Sequence, residues 1–483
     1  MLKKRIINKS YQYLNNFSKN TSIHGMQYVG NTKISKLERL MWFIIAFAAF
    51  SFSYGFLKSN LEHYFANPTV VTMEKDYRNW ENAFPATTAC YVNRVDQKKA
   101  EMYIEKQFKV KPHDEKFNYY MNFVNLVSNL TYNTFHKLEY FKNDDNLTKN
   151  IDYLSLVQET KVKFEWEFVI TELGLCFTLN SMFSELLSPK LKSFKDFTMR
   201  NVKNYLKCHF LNGVCYARYD SDPSKPIMYY IHSHLDVIHA TSDTPILVKK
   251  SEEYDVNYKL AETYSMDDIR YLTPNQRNCN FYDEPTTTNM LIYSTSICFM
   301  ECRYRIAKDK CGCKPFFYNF FGKKGESCDL KGMLCLSKIS YLFNQSSKLI
   351  GCNCPQPCNL MVYLRQIPKK TIWNHQFFDE RITFRWGLIP PTTKYHRKIL
   401  FGIQELTVSL GGALSLFLGI SFISVIETIY LICENLFYYI QNKRNVTQVM
   451  VLKRYKRKFQ NYNEKFFNGS DRKVFSLLHQ QRK

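Results

Sequence analysis

Two stretches of this 483-residue chain carry no charge over a length that suits a membrane, and they limit its possible folds more than any other feature. Leu40 to Leu57 (LMWFIIAFAAFSFSYGFL) contains 18 uncharged residues, and Leu406 to Ile426 (LTVSLGGALSLFLGISFISVI) contains 21. As helices rising about 1.5 Å per residue they would reach ~27 and ~32 Å, against a hydrocarbon core of about 30 Å. A backbone crossing lipid has to satisfy its own polar groups, so both runs are expected to be helical. Basic residues precede the first run (Lys33, Lys36, Arg39) and follow the second (Lys443, Arg444). The positive-inside rule then places both chain ends in the cytosol. Ala46-Phe47-Ala48 resembles a leader cleavage site, but the apolar run is longer than a leader core and 39 residues precede it.

The net charge of +23 has the same distribution. Before Leu40 there are eight Lys or Arg against one acid, and after Ile440 twelve against two, so the flanks hold 17 of the 23 excess charges. A nucleic-acid binder would carry its charge on a folded face, and no nucleic-acid partner is expected. Fourteen of the fifteen cysteines lie between the runs, and the fifteenth is Cys433. An even number confined to one side of two spans is the pattern of disulfides in an oxidising compartment. Cys311-x-Cys313 and Cys352-x-Cys354 lack the usual zinc-ligand spacing.

Five segments follow: a cytosolic stretch, 1–39; a first span, 40–61; a cysteine-rich extracellular α+β domain, 62–398; a second span, 399–439; and a basic cytosolic tail, 440–483. Within the large domain, Asn67 to Cys90 reads as extended and Lys99 to Thr148 as largely helical. Phe168 to Leu179 and Pro226 to Ile238 read as strands. Ser296 to Lys310 reads as a helix with Cys298 and Cys302 one turn apart on one face. Sequons at Asn129, Asn146 and Asn344 offer glycosylation sites on an exposed surface. His232-Ser233-His234-Leu235-Asp236 resembles the start of a metallohydrolase motif, but Val237 replaces its last histidine and no second ligand cluster follows. No metal, cofactor or enzymatic activity is expected.

The second apolar run carries the most functional information. Gly412, Ser415 and Gly419 make a small-residue stripe, with Gly411, Ser421 and Ser424 adding small or polar positions. Such a stripe permits close helix packing in lipid. Glu427 and Glu434, seven apart at the cytosolic end, extend the same face, and acids there attract cations when they ring a pore. Packing and conduction both remain open on this evidence, and conduction requires several copies around one axis.

The run Gly411 to Glu427 (GGALSLFLGISFISVIE) resembles the pore signature of the degenerin/epithelial sodium channel family, and similar segments extend over nearly the whole chain. His24-Gly25 resembles the family's cytosolic His-Gly motif, and Phe84-Pro85-Ala86 through Cys90 its first extracellular strand. Gly174-Leu175-Cys176-Phe177-Thr178-Leu179-Asn180 resembles its Gly-x-Cys-Tyr-Thr-Phe-Asn segment, and the ten cysteines from Cys279 to Cys358 are spaced like its thumb lobe. The aromatic-rich, Asn-rich style is similar to the insect pickpocket branch.

This resemblance implies an acid-sensing-channel-like subunit in a homo- or heterotrimer. The protein would sit in the plasma membrane with two spans, prefer sodium ions, be sensitive to amiloride and be gated through its extracellular domain. Its partners would be sodium ions, identical or sibling subunits and the lipid bilayer. The resemblance makes Gly419, Ile420 and Ser421 the selectivity filter. It gives His24, Gly25, Val408, Gly411, Gly412, Ser415, Ser424, Glu427 and Glu434 pore or gating roles. It also implies the pairs Cys90–Cys176, Cys208–Cys215, Cys279–Cys358, Cys298–Cys354, Cys302–Cys352, Cys311–Cys335 and Cys313–Cys328, with a thumb-like lobe at about 298–352. Four features depart from the family pattern. Ile420 is bulkier than the usual filter residue, and Val408 stands where small residues are commoner. Gln276 replaces a common Trp thought to contact Tyr64, and the Cys208–Cys215 pair follows Cys176 instead of preceding it. The competing reading is a non-conducting two-span cell-surface receptor of scavenger-receptor type, which would have no need of the Gly-Gly to Glu pattern.

Overall fold

The computed structural model describes residues 18, 21, 23–148, 151–186, 205–222, 225–284, 292–321, 327–345, 349–373, 381–430, 432–434, 437 and 454. Lys443, Arg444 and nearly all of the expected cytosolic tail lie outside these. The chain divides into two compact units, Met1–Asn67 with Phe401–Lys483, and Pro68–Leu400.

The first unit contains α1 (Met26–Gly30) and α2 (Lys36–Ala66). Ser35 caps α2, its Oγ accepting the Glu38 N–H at 3.2 Å. The helix runs 31 residues, well past the 18 of the uncharged run. It is long and apolar enough to cross a bilayer. Ser53 is its one buried residue, while Phe43, Phe47, Phe50 and Phe52 stand exposed. So much bare aromatic surface is stable only against lipid or other chains.

The second unit is two sheets with helical additions. It begins with β1 (Thr69–Glu74) and β2 (Ala86–Tyr91), the latter buried at every position. Three helices follow: α3 (Gln97–Phe108), α4 (Phe117–Ser128) and α5 (Tyr153–Thr160). Asp96 caps α3 by accepting the Lys99 N–H, and Asp152 caps α5 by accepting that of Leu154. Their apolar faces meet through Ile104, Phe123, Val124 and Leu156, all fully buried. Next come β3 (Glu167–Thr171), β4 (Gly174–Leu179), β5 (Cys215–Ser221), β6 (Ile227–His232), β7 (Ile246–Val248) and the 14-residue β8 (Glu252–Ser265). The strand expected over Pro226 to Ile238 stops at His232. The Asp236 N–H donates to the Ser233 carbonyl at 3.0 Å, closing a turn that ends the extended run.

After β8 come α6 (Thr295–Cys311), α7 (Leu330–Lys338), β9 (Leu360–Arg365), β10 (Lys369–Ile372), β11 (Ile382–Ile389) and β12 (Lys394–Ile399). The smaller sheet is antiparallel with the order β3-β4-β2-β6-β7; the larger is mixed, with the order β1-β12-β8-β11-β5, β8 running parallel to β11 and β12 and pairing also with β9 and β10. Tyr229 of the first stacks on Phe384 of the second at 4.1 Å between ring centres, and Phe384 stacks on Trp386. These buried rings seal the two sheets together. β1 pairs with β12 from Thr69↔Ile399 to Glu74↔Lys394, and the Leu400 N–H donates to the Pro68 carbonyl at 2.8 Å. The unit therefore begins and ends at one place. Past it, the chain returns to the first unit with α8 (Ile403–Leu418).

Seven disulfides link Cys90–Cys176, Cys208–Cys215, Cys279–Cys358, Cys298–Cys354, Cys302–Cys352, Cys311–Cys335 and Cys313–Cys328. The last five are fully nested. They fasten α6 turn by turn to the returning chain, which removes much of the freedom that stretch would have unfolded.

One buried ionic cluster ties the lobes of this unit together. Glu172, in the β3–β4 turn, and Arg303, on α6, have side chains 0% and 3% exposed and meet at 2.7 Å. Further hydrogen bonds surround them, although Arg303 Nε has no partner among the described residues. The Ala240 N–H donates to Glu172 Oε2 at 2.8 Å, Tyr318 Oη donates to Oε1, and Arg303 Nη2 donates to Thr241 Oγ1 at 3.0 Å. Tyr132 reaches Tyr318 hydroxyl to hydroxyl at 2.5 Å. Burial, and then the Glu172 carboxylate, hold both phenols well above their ordinary pKa, so they remain protonated. Breaking a buried pair leaves an uncompensated charge, whereas replacing both partners removes the problem. Arg303→Ala should cost about 3–5 kcal/mol and lower the melting temperature of the full-length protein in detergent. Glu172→Leu with Arg303→Met should recover most of that loss. A double variant as unstable as Arg303→Ala would contradict this.

Candidate functional site

The residues singled out in the second apolar run sit around an interruption. Gly402 precedes α8 as its N-cap, its N–H donating to Glu405 Oε2 at 2.9 Å, and the helix ends at Leu418. Gly419 then takes a left-handed backbone, φ +66°. The sequence suggests one unbroken helix over Leu406 to Ile426. Hydropathy does not register that a glycine can leave the right-handed region at almost no cost. Beyond the break a helix resumes at Phe422, bent by 72° from α8. Glu427 and Glu434 lie on that later segment, so they do not continue the face of Gly412 and Ser415 along one straight axis.

The break is closed on both sides. The Gly419 N–H donates to the Ser415 carbonyl at 2.9 Å and the Ile420 N–H reaches back to Leu414 at 3.2 Å. Ser421 caps the next segment: its Oγ accepts the Ser424 N–H at 3.2 Å, and Ser424 Oγ accepts the Ser421 N–H at 3.3 Å. The carbonyls of Gly419 and Ile420 accept no hydrogen bond among the described residues. In a segment of this hydropathy two bare carbonyls are costly unless water or a cation reaches them.

His24 and Gly25 meet this break from the other end of the chain. The His24 N–H donates to the Leu418 carbonyl at 3.0 Å. The His24 ring lies so near Gly419 that an added Cβ would collide with Nδ1. Gly419 is thus fixed twice, by its backbone angle and by the space His24 takes. Gly25 also has a left-handed φ of +81°, but a Cβ there would meet only ordinary contacts with Trp42 and Ala46. Tyr28 stacks on Trp42 at 4.5 Å and the Arg39 Nε–H donates to the Val29 carbonyl at 3.3 Å, holding α1 on α2. α2 and α8 are joined by Asn60 Nδ2 donating to Ser409 Oγ at 2.7 Å and by Phe52 stacked on Phe417.

Ala413 and Leu418 are the buried residues of α8. Val408, Gly411, Gly412, Ser415 and Ser421 are exposed, Gly419, Ile420 and Glu427 half-buried, Ser424 buried and Glu434 exposed. Gly411, Gly412 and Ser415 therefore lie on a face that no described residue covers, whereas Gly419 lies under the His24 ring. Exposed Val408 fills no space inside this chain.

The remaining sequence-derived positions lie in the second unit. Asn146 and Asn344 are exposed; Asn129 is half-buried, its amide donating to the Asn125 carbonyl while its Oδ1 accepts the Arg94 N–H. His232 ends β6 with both ring nitrogens occupied, by Thr88 Oγ1 and the Ser233 carbonyl, each at 2.8 Å. His234 stacks on Tyr205. No group of three metal-ligating side chains occurs among the described residues. Gln276 caps a short helix by accepting from Thr273. The bare carbonyls and the Glu172–Arg303 cluster were missed from sequence, since neither follows from periodicity or local spacing.

Comparison with known proteins adds the biological frame. Residues 17–431 match the family described as amiloride-sensitive sodium channel. The chain is 22% identical to the sodium channel protein Nach of Drosophila melanogaster, over 86% of this chain and 85% of that protein. It is 24% identical to the bile acid-sensitive ion channel of Mus musculus, over 87% and 88%, and 19% identical to pickpocket protein 28 of Drosophila melanogaster, over 86% and 77%.

The double constraint on Gly419 can be tested without any functional assay. Gly419→Ala should push His24 away and expose its amide, raising hydrogen–deuterium exchange over residues 24–30 in full-length protein. Removing the ring as well, in Gly419→Ala with His24→Ala, should restore part of the protection. What remains is the cost of a left-handed alanine, about 1–2 kcal/mol. Unchanged exchange in Gly419→Ala would refute the contact.

Proposed function

The chain belongs to the amiloride-sensitive sodium channel family, and we propose that it is one subunit of a trimeric, sodium-preferring, amiloride-blocked cation channel of the plasma membrane. In this reading α2 and the broken α8 segment are the two spans, both chain ends are cytosolic, and Pro68–Leu400 is the extracellular gating domain. Gly419, Ile420 and Ser421 form the constriction. Glu427 and Glu434 gather cations at the inner mouth, and His24 and Gly25 brace the constriction from within.

The observation that carries this reading is the pair of bare carbonyls at Gly419 and Ile420. Irregular backbone at membrane depth is tolerated where it lines a water-filled passage. A cation entering that passage loses hydration water, and carbonyl oxygens with the Ser421 hydroxyl can replace it. The exposed stripe of Gly411, Gly412 and Ser415 suits the approach of sister helices around one axis. One relative is named for sensitivity to bile acids, which favours control by a ligand.

Cells expressing this chain, alone or with a sibling subunit, should carry an inward sodium current that amiloride blocks. Ser421→Phe should abolish that current or shift its sodium-to-potassium permeability ratio several-fold at unchanged surface expression. A current with the same ratio and size in Ser421→Phe would contradict a constriction at this position.

A further inference from the structure

A cavity of about 740 Å³ runs along one edge of the large sheet in the second unit, within the size range of ligand sites. One wall is the entire strand β9, Leu360 to Arg365. β9 pairs with β8 along one side only, and no strand bonds to its other side among the described residues. Val362 and Leu364 stand exposed on it. An apolar strand with an open edge is a template for another extended backbone. The opposite wall is the chain from Tyr229 through Thr244, which includes Asp236, His239 and Asp243.

The two ends of this groove differ in charge. At the Leu360–Met361 end it meets a second cavity of about 180 Å³, and Asp236 lines both. The Asp236 carboxylate is held in place by the Ser294 hydroxyl at 2.6 Å and the Val237 N–H at 2.9 Å, both donating to Oδ1. Arg365 marks the other end and stands exposed. Burial lowers the pKa of His239, so the wall carrying the acids is not offset by an imidazolium. Four strand steps separate Met361 from Arg365, about 13 Å, which is the span of an extended tetrapeptide.

We propose that this groove binds a short extracellular peptide with free ends. Its ammonium group sits at Asp236, its carboxylate at Arg365, and its backbone adds to the open edge of β9. Main-chain hydrogen bonds to β9 supply affinity and the two end charges set polarity and length. The proposal concerns binding and does not depend on conduction.

The test is affinity selection on full-length protein in detergent, read by mass spectrometry, using random tetrapeptide pools with free ends, N-acetylated or C-amidated. Free-ended peptides should be retained at least tenfold over either capped pool. Arg365→Gln, an exposed position, should erase the preference for a free carboxylate while leaving the preference for a free amine. Asp236→Asn should do the reverse, with its melting temperature confirming that it folds. Equal retention of capped and free pools would overturn the proposal, as would wild-type preferences in both variants. Failure to retain any pool, as when a second copy of the chain covers the edge, would also overturn it. Because retention is read without current, its failure and the failure of the channel reading are distinguishable.

Discussion

The left-handed turn at Gly419 and the His24 amide that closes on Leu418 are the constraint around which the helical unit is organised. A helix of this hydropathy would otherwise run on without interruption, every carbonyl satisfied and nothing left to offer an ion. Ending it needs a residue that accepts positive φ at little cost, and glycine alone does so while leaving room for the His24 ring. Restarting it needs a cap, which Ser421 and Ser424 give each other. Between those two requirements lie two carbonyls that accept no hydrogen bond among the described residues. The segment around His24, a glycine and a serine pair thus interrupt what would otherwise be a plain apolar helix.

The large domain follows a different logic. Its chain enters and leaves at the paired strands β1 and β12, so any movement inside it is delivered to one place. Five nested disulfides and the Glu172–Arg303 cluster make the lobe built on α6 stiff and hold it to the β3–β4 turn. A buried ion pair adds little net stability over an apolar alternative, but it disfavours intermediate positions, because a partly separated pair is the worst state. Such a domain suits a two-state displacement better than gradual deformation.

Much of this was legible in the sequence where the signal is local. Uncharged length announced α2, and the helical pattern of Ser296 to Lys310 announced α6, with Cys298 and Cys302 one turn apart on it. The seven disulfide pairs in the structure are those implied by the family resemblance; spacing alone could not have chosen among the possible connectivities. Other features resist such reading. Glu172 and Arg303 are 131 residues apart, and their neutral-looking contexts give no hint of burial. The strand after Pro226 was overextended because Val237 and Ile238 look like strand residues, while the turn at Ser233 depends on a backbone bond. The break at Gly419 looks, in composition, the same as a packing glycine. The motif identified the place, but only the dihedral angle revealed what happens there.

The most direct measurement is the reactivity of single cysteines placed along Val408 to Ser424 in a Cys433→Ser background, probed with water-soluble thiol reagents from each side of the membrane. If the broken helix faces water among sister copies, cysteines at 411, 412, 415 and 421 will be modified, those at 413 and 418 will not, and modification will reduce the cation current. If no position reacts from either side, the segment lies in lipid or packed protein and conducts nothing.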